Sequence, residues 1–411
     1  LFPYTTLFRS GSDLDFLGTD LYPGLRDEFM KAGLGYAQAM QLDGFRGWGG
    51  NFIIPELQLG AGAHPSLAIP NPEPGELKRF AFSYVARGAD GILWFRWTSA
   101  RFGAEAYWMG ALDHDRVPRR RLAELEETIA ELKAIRSDVL GTSVETEVAI
   151  LAADWDNEMA QATFSLGMPS LAELSLPLHH HCYSRNIGCG MAAPGDDLSG
   201  VKIAFVPHLA LWDDRWTEKL TAFVERGGIL VVGARTATRS ATNQVLETTA
   251  PGVLRDLCGV SVEEFGRLPA PDATSILSGP VFQVESMQSG RSAESAKRKH
   301  FVDLAGAEIQ AAHGYEIVRP APGTEVIGRW TSRFLEGEAA ITRRRLGEGQ
   351  VLYVGTYLTH ALAAQLFAPL FAEAGIEAAS LAAGVERTIR SGPRGSLTFF
   401  QNTVGEARTV A

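Results

Sequence analysis

Three scarcities narrow the sequence before any motif is read. Among 411 residues there are only three cysteines, Cys182, Cys189 and Cys258. That is too few for a disulfide framework, and it suits a reducing, cytoplasmic compartment. No uninterrupted apolar run reaches the roughly eighteen residues a transmembrane helix requires, so no membrane partner is indicated. Positive charge is short as well: 38 Lys and Arg against 48 Asp and Glu leave a net charge of -10. With no basic stripe interleaved with aromatics, this argues against a nucleic-acid surface. What remains, 45% hydrophobic and 21% charged, is an ordinary globular composition with length for two or three domains.

The first ten residues, LFPYTTLFRS, resemble the translation of a sequencing adapter and are set aside from fold reasoning. On that reading the natural sequence begins mid-gene at Gly11, and its true N-terminus is missing.

From there the chain alternates. Leu14–Asp20 reads as a short buried strand followed by the turn Tyr22-Pro23-Gly24, and Glu28–Met40 carries a moderate helical pattern. Asn51–Gly60 is an apolar run, flanked by glycines, that drives into one carboxylate, Glu56. Pro74-Gly75 opens a helix with Leu77, Phe80, Ala81, Tyr84 and Val85 on one face, ended by Gly88. Gly91–Phe95 is a further strand with Arg96-Trp97 at its exit. Pro118 stands near the start of a helix whose Leu122, Leu125, Ile129, Leu132 and Ile135 face inward, closed by Gly141. Strands alternating with helices predict parallel strands with crossover connections. Three such units fit the last three of a (β/α)8 TIM barrel.

Near Gly141–Glu145 the pattern restarts as a second α/β series. It has strands at Val148–Leu151, Val201–Pro207, Ile229–Val232, Val326–Arg329 and Gln350–Val354, and helices at Asp214–Arg226 and Ala361–Ala374. Leu268–Ser295, richer in Pro, Ser and Gly, is expected to loop over the surface. Ser396–Asn402 is expected to be the first strand of a further, truncated β domain. The expected boundaries are therefore 11–140, 143–383 and 386–411.

A Glu at the C-terminal end of a buried parallel strand is where barrel enzymes keep catalytic groups. Alone it is equally a strand-end carboxylate that meets water, so the neighbouring motifs have to decide. Four pieces line up: Asp20-Leu21-Tyr22-Pro23; Pro55-Glu56-Leu57-Gln58; Pro74-Gly75-Glu76-Leu77 leading to Gly88-Ala89-Asp90-Gly91; and Phe95-Arg96-Trp97 with Gly103-Ala104-Glu105. Together they resemble the C-terminal part of the catalytic barrel of glycoside hydrolase family 42, the β-galactosidases. The resemblance implies a retaining hydrolase acting on galactosides or oligosaccharides. It makes Glu56 the nucleophile, Glu105 a sugar-binding carboxylate and Arg96 the residue beneath the pocket that orients one of them. The acid/base would be a Glu on the fourth barrel strand, upstream of Gly11, so this chain by itself is expected to be inactive. Asp20, Trp48, Trp94 and Trp97 are candidate pocket walls. Two positions depart from the family pattern: Trp108 stands where a His is usual, and His64 where a Trp is usual. Both are candidate substrate contacts, and they leave the exact sugar open between β-galactose and, for instance, α-L-arabinopyranose.

The second series resembles the family's trimerisation domain, whose fold is like class I glutamine amidotransferases, with most of the likeness in Val201–Gly233. That implies a homotrimer. Amidotransferase chemistry needs a Cys on a strand-to-helix elbow with a His partner, and none of the three cysteines is so placed. His179-His180-His181-Cys182, read as a strand, turns its side chains to alternate faces and lacks a second ligand pair, so no metal is expected. Gly33-Leu34-Gly35 and Gly60-Ala61-Gly62 lack the third glycine of a dinucleotide loop, and no cofactor is expected. A non-catalytic assembly protein is the reading from a different class.

Overall fold

The computed structural model describes residues 14–23, 34–64, 67–164, 169–268 and 299–404. It divides into two compact units: described residues up to Glu145 together with those from Ala379 onward, and the stretch between Thr146 and Ala378.

The first unit is built on three parallel strands. These are β1 (Leu17–Gly18), β2 (Phe52–Gln58) and β5 (Ala89–Phe95), hydrogen-bonded in that order. Between them run α1 (Leu34–Arg46), the small hairpin β3 (Gly62–His64) and β4 (Leu67–Ile69), and α2 (Glu76–Ala86); α3 (Arg120–Val139) follows β5. This is the C-terminal part of a TIM barrel. The helix expected over Glu28–Met40 runs from Leu34 to Arg46, and its predicted start lies outside the described residues.

The first unit's helices follow from their residues. In α2 the stripe Leu77, Phe80, Ala81, Tyr84 and Val85 is buried, each large side chain contributing about 1.5–3 kcal/mol on removal from water. Its first turn has no side-chain cap of its own. The carboxylate of Glu124 from α3 fills that role, accepting from the Gly75 and Leu77 amides at 2.9 and 3.2 Å.

The end of the sheet where β2 and β5 begin is clamped. Arg390, fully buried, donates to Asp90 Oδ1 at 2.6 Å, to the Val85 carbonyl at 2.7 Å and to Thr142 Oγ1 at 2.9 Å. Asn51 ties Asp90 and the Thr142 carbonyl together at 3.0 and 2.8 Å. Arg390 belongs to an antiparallel hairpin, Val385–Gly392 with Gly395–Asn402, to which Ser143–Val144 adds a third strand. The segment expected to be a first strand is thus the second of a hairpin, and the hairpin belongs with the barrel strands.

The second unit is a doubly wound sheet. Its parallel strands lie in the order Cys189–Met191, Val148–Ile150, Ile203–Val206, Ile229–Gly233 and Gly349–Val354. In chain order that is 2-1-3-4-5, the flavodoxin-like arrangement. Beyond Gly349–Val354 the sheet continues antiparallel through Ala339–Leu346, Thr324–Trp330, Phe301–Leu304 and Ala307–Gln310, while Val260–Arg267 pairs with Gly314–Pro320. Ile229–Gly233 and Gly349–Val354 are buried throughout, as strands covered on both faces must be. The loop expected at Leu268–Ser295 lies almost wholly outside the described residues.

The histidine run is on a helix, Leu171–Tyr183, not on a strand. Ser170 and Glu173 form a capping box at its start. His181 stacks on Phe371 at 5.6 Å, and His180 meets His360 edge-on at 5.3 Å. Among the described residues no three metal-binding side chains come together.

Candidate active site

The site lies where the three barrel strands end. Pro55 supplies no amide hydrogen, and β2 carries one extra residue between Ile54 and Leu57 relative to both neighbours. Against β5 the partners are Ile54↔Ile92 then Leu57↔Trp94, and against β1 they are Gly18↔Ile53 then Leu21↔Leu57. A bulge of this kind re-aims a side chain. Ile54 and Leu57 stay fully buried, while Glu56 emerges half-buried.

Tyr22 meets it there. Its hydroxyl donates to Glu56 Oε2 at 2.7 Å. Among the described residues the other carboxylate oxygen has no hydrogen-bond partner. Burial, and then the hydrogen bond to Glu56, push the Tyr22 phenol well above the ordinary tyrosine range, with Asp20 and Glu105 adding to the effect. Tyr22 therefore stays a protonated donor at any working pH. Asp20 follows β1 and is exposed; its carboxyl is raised, first by burial of part of the group and then by the charge of Glu56.

Arg96 follows β5 through a cis Phe95–Arg96 peptide. Its guanidinium donates to the Glu105 carbonyl at 2.6 Å and stands 3.5 Å from Glu105 Oε2, with its carbon 4.8 Å from the centre of the Phe95 ring. Arg96 thus orients Glu105, and Tyr22 holds Glu56. Trp108 is buried, edge-on to Tyr22 at 5.2 Å and to Phe95 at 6.5 Å. A Cβ at Gly62 would lie 2.8 Å from the Trp108 ring, so only glycine lets β3 approach. His64 closes β3 with its backbone paired to Leu67; its side chain lies outside the described residues. Trp94 and Trp48 pack into the barrel core, whereas Trp97 is 62% exposed.

The loop carrying Glu105 is braced. Ala111 and Leu112 donate to the Arg96 and Trp97 carbonyls at 2.7 and 2.9 Å, and Met109 to Ala61 at 2.8 Å. His114 Nε2 lies 3.0 and 2.7 Å from the Ala100 and Ala106 carbonyls. Sequence reasoning missed His114 altogether and, although it quoted Tyr22 within the Asp-Leu-Tyr-Pro motif, gave that residue no role in the site. Gln58, also missed as a contact, is buried and donates to the Gly60 and Pro70 carbonyls at 3.1 and 2.8 Å.

A carboxylate oxygen held at one end of a parallel sheet, a tyrosine that cannot ionise and a second carboxylate fixed by arginine are the parts for handling a polyhydroxylated ring. Residues 146–377 match the family described as "Beta-galactosidase trimerisation domain", and residues 3–135 match "Beta-galactosidase". The chain belongs to glycoside hydrolase family 42. Among curated family members, β-galactosidase BgaA of Clostridium cellulovorans is 30% identical over 349 residues, covering 84% of this chain and 48% of that protein. BgaB of a Geobacillus species is 28% identical over 371 residues, covering 89% and 50%. The chain spans about half the length of the curated relatives it matches. In fold it is similar to the β-galactosidase of Bacillus circulans sp. alkalophilus, with a TM-score of 0.80 at 21% identity over 98% of this chain and 56% of that one. It is also similar to a catalytic mutant of Gan42B, a family 42 β-galactosidase from G. stearothermophilus, with a TM-score of 0.77 at 20% identity over 96% and 55%.

The amidotransferase-like unit carries no equivalent elbow cysteine. The turn that leaves Ile229–Gly233 has left-handed backbone at Arg235, φ 63°. Cys258 ends the short helix Arg255–Cys258, where burial pushes its thiol far up and keeps it protonated.

Proposed function

We propose that these residues serve a retaining glycoside hydrolase that releases terminal β-D-galactose from β-galactosides. The observation that carries this is the Glu56 carboxylate at the exit of β2, held through one oxygen by Tyr22 and flanked by the Arg96–Glu105 pair. In the proposed reaction the free oxygen of Glu56 attacks the anomeric carbon as the glycosidic bond breaks. A carboxylic acid protonates the leaving oxygen, and water then releases the sugar from the ester. Glu105, oriented by Arg96, accepts hydrogen bonds from ring hydroxyls, with His64 and Trp108 as the remaining substrate contacts, while Asp20 stands beside Glu56. The acid is proposed to come from a barrel strand outside these 411 residues, which agrees with the half-length coverage of the relatives. Residues 11–411 alone then give no turnover.

The same reading includes a homotrimer assembled through the 143–383 domain, supported by the match to a trimerisation domain. It also includes a cytoplasmic location, supported by three unpaired, buried cysteines. No helix among the described residues is long and apolar enough to cross a membrane.

The test is Glu56→Gln in a chain extended to the length of its relatives. Hydrolysis of nitrophenyl β-D-galactoside should vanish, and normal turnover would refute the assignment. Comparing that substrate with nitrophenyl α-L-arabinopyranoside measures how much the exocyclic carbon matters.

A further inference from the structure

We propose that Asp20 is a charge partner of Glu56: a second carboxylate, set beside it by strand register, whose field adds to that of Glu56 on a positively charged sugar ring. This deepens the retaining reading above and rests on it. The register is explicit. Leu21 pairs with Leu57, the Leu21 amide donates to the Glu56 carbonyl at 2.7 Å, and the Gln58 amide donates to the Leu21 carbonyl at 3.0 Å. Partners in parallel strands stand side by side about 4.8 Å apart. Leu21 and Leu57 both point into the core, so the preceding residues, Asp20 and Glu56, emerge together at the strand exits. The bulge in β2 makes this possible, because without the extra residue Asp20 would lie beside Pro55.

The groups that face the pair are Tyr22, which donates to Glu56, and Glu105, whose charge Arg96 partly offsets. Two carboxylates side by side repel each other. When Glu56 Oε1 bonds to the anomeric carbon, the bond from that carbon to the leaving oxygen breaks and its electron pair departs with the leaving group. A carboxylic acid supplies the proton, and Glu56 becomes a neutral ester. The repulsion from Asp20 is thereby relieved as the new bond forms. During the passage the ring carries positive charge, and two adjacent carboxylates attract it more than one. The raised carboxyl of Asp20 agrees with this proximity.

The experiment compares two probes on the 411-residue chain: galactose, which is neutral, and 1-deoxygalactonojirimycin, a galactose-shaped iminosugar that is protonated near pH 7. Affinities are measured by ligand-observed NMR for the parent chain, Asp20→Asn and Asp20→Ala. Both variants should weaken the cationic probe about fivefold, the scale of one partly solvated charge, and leave galactose within about twofold. In the parent chain the preference for the cation should fade as pH falls and Asp20 takes up a proton. Equal weakening of both probes would reduce Asp20 to a structural or hydroxyl-binding role and overturn the proposal, as would no change with either. If the parent chain binds neither probe, the galactoside reading falls first and this inference falls with it. If galactose binds and only the charge effect is missing, this inference alone falls.

Discussion

In the barrel sheet the carboxylates at the strand exits meet solvent: Asp20 and Glu105 are exposed and Glu56 is half-buried. In the doubly wound sheet the corresponding end is filled. There Glu316 is 1% exposed and accepts from Tyr353 Oη at 2.7 Å and from the Arg235 amide at 3.1 Å, with the Arg235 guanidinium 3.5 Å away. His208, just after Ile203–Val206, has its Nδ1 2.7 Å from the Ala234 carbonyl and 2.9 Å from the Tyr357 hydroxyl. Sheets of this order bind ligands in the crevice outside their strand ends. Here buried side chains that satisfy one another occupy that place. The difference teaches what separates a working strand end from a structural one. In the first, charge is positioned and left reachable; in the second, it is sealed and neutralised.

The sharpest break in that contrast is Glu56→Gln. The account expects loss of at least about 10^4-fold in turnover in a length-matched chain, the scale of removing a nucleophile, and urea unfolding unchanged within about 0.5 kcal/mol. Glu316→Ala should do the opposite. It strands the guanidinium of Arg235 and the hydroxyl of Tyr353, costs about 3 kcal/mol of stability, and leaves sugar binding intact. A stable Glu316→Ala protein would show that the second unit's strand ends are not sealed by this ion pair.

Arg390→Met tests whether the first unit is rigid at the sheet end opposite its site. Removing the fully buried guanidinium of Arg390 from Asp90, the Val85 carbonyl and Thr142 should cost about 3 kcal/mol. The pH dependence follows from His208, whose affinity for protons is lowered by burial to a pKa of about 4, with the Arg235 and Arg239 charges adding to it. Its neutral form is the one the fold accommodates. The stability it contributes is therefore present above the unfolded value near 6.5 and is lost as pH falls towards about 4. Acid unfolding followed through the second unit should show that loss, on the order of 2 kcal/mol, and His208→Gln should flatten it. The smallest effect is Tyr22→Phe, expected to cost about 1 kcal/mol of stability and to weaken turnover without abolishing it.

Much of this was legible in the chain. The strand–helix alternation from Leu14 to Gly141 and the placement of Glu56 at a strand exit follow from periodicity and glycine punctuation. The motifs naming Glu105 and Arg96 are local as well. What escaped was long-range. Val260–Arg267 alternates apolar and polar residues, yet its partner Gly314–Pro320 is roughly fifty residues on, and a bulge between Val262 and Glu264 interrupts the pattern. The histidine run was read with a period of two although Ser170 and Glu173 spell a helix start. The Tyr22–Glu56 bond spans 34 residues and depends on one extra residue in β2, which no local pattern announces.

The central claim, that Glu56 is a nucleophile with a free oxygen, can be tested on the 411-residue chain itself. A 2-deoxy-2-fluorogalactoside with a dinitrophenolate leaving group needs no acid to depart, so the proposed missing acid does not matter. The account predicts a single covalent fluorogalactosyl adduct, located by peptide mass mapping on Glu56 and absent from Glu56→Gln. An adduct on another residue, or an unmodified Glu56 after prolonged exposure, would contradict it.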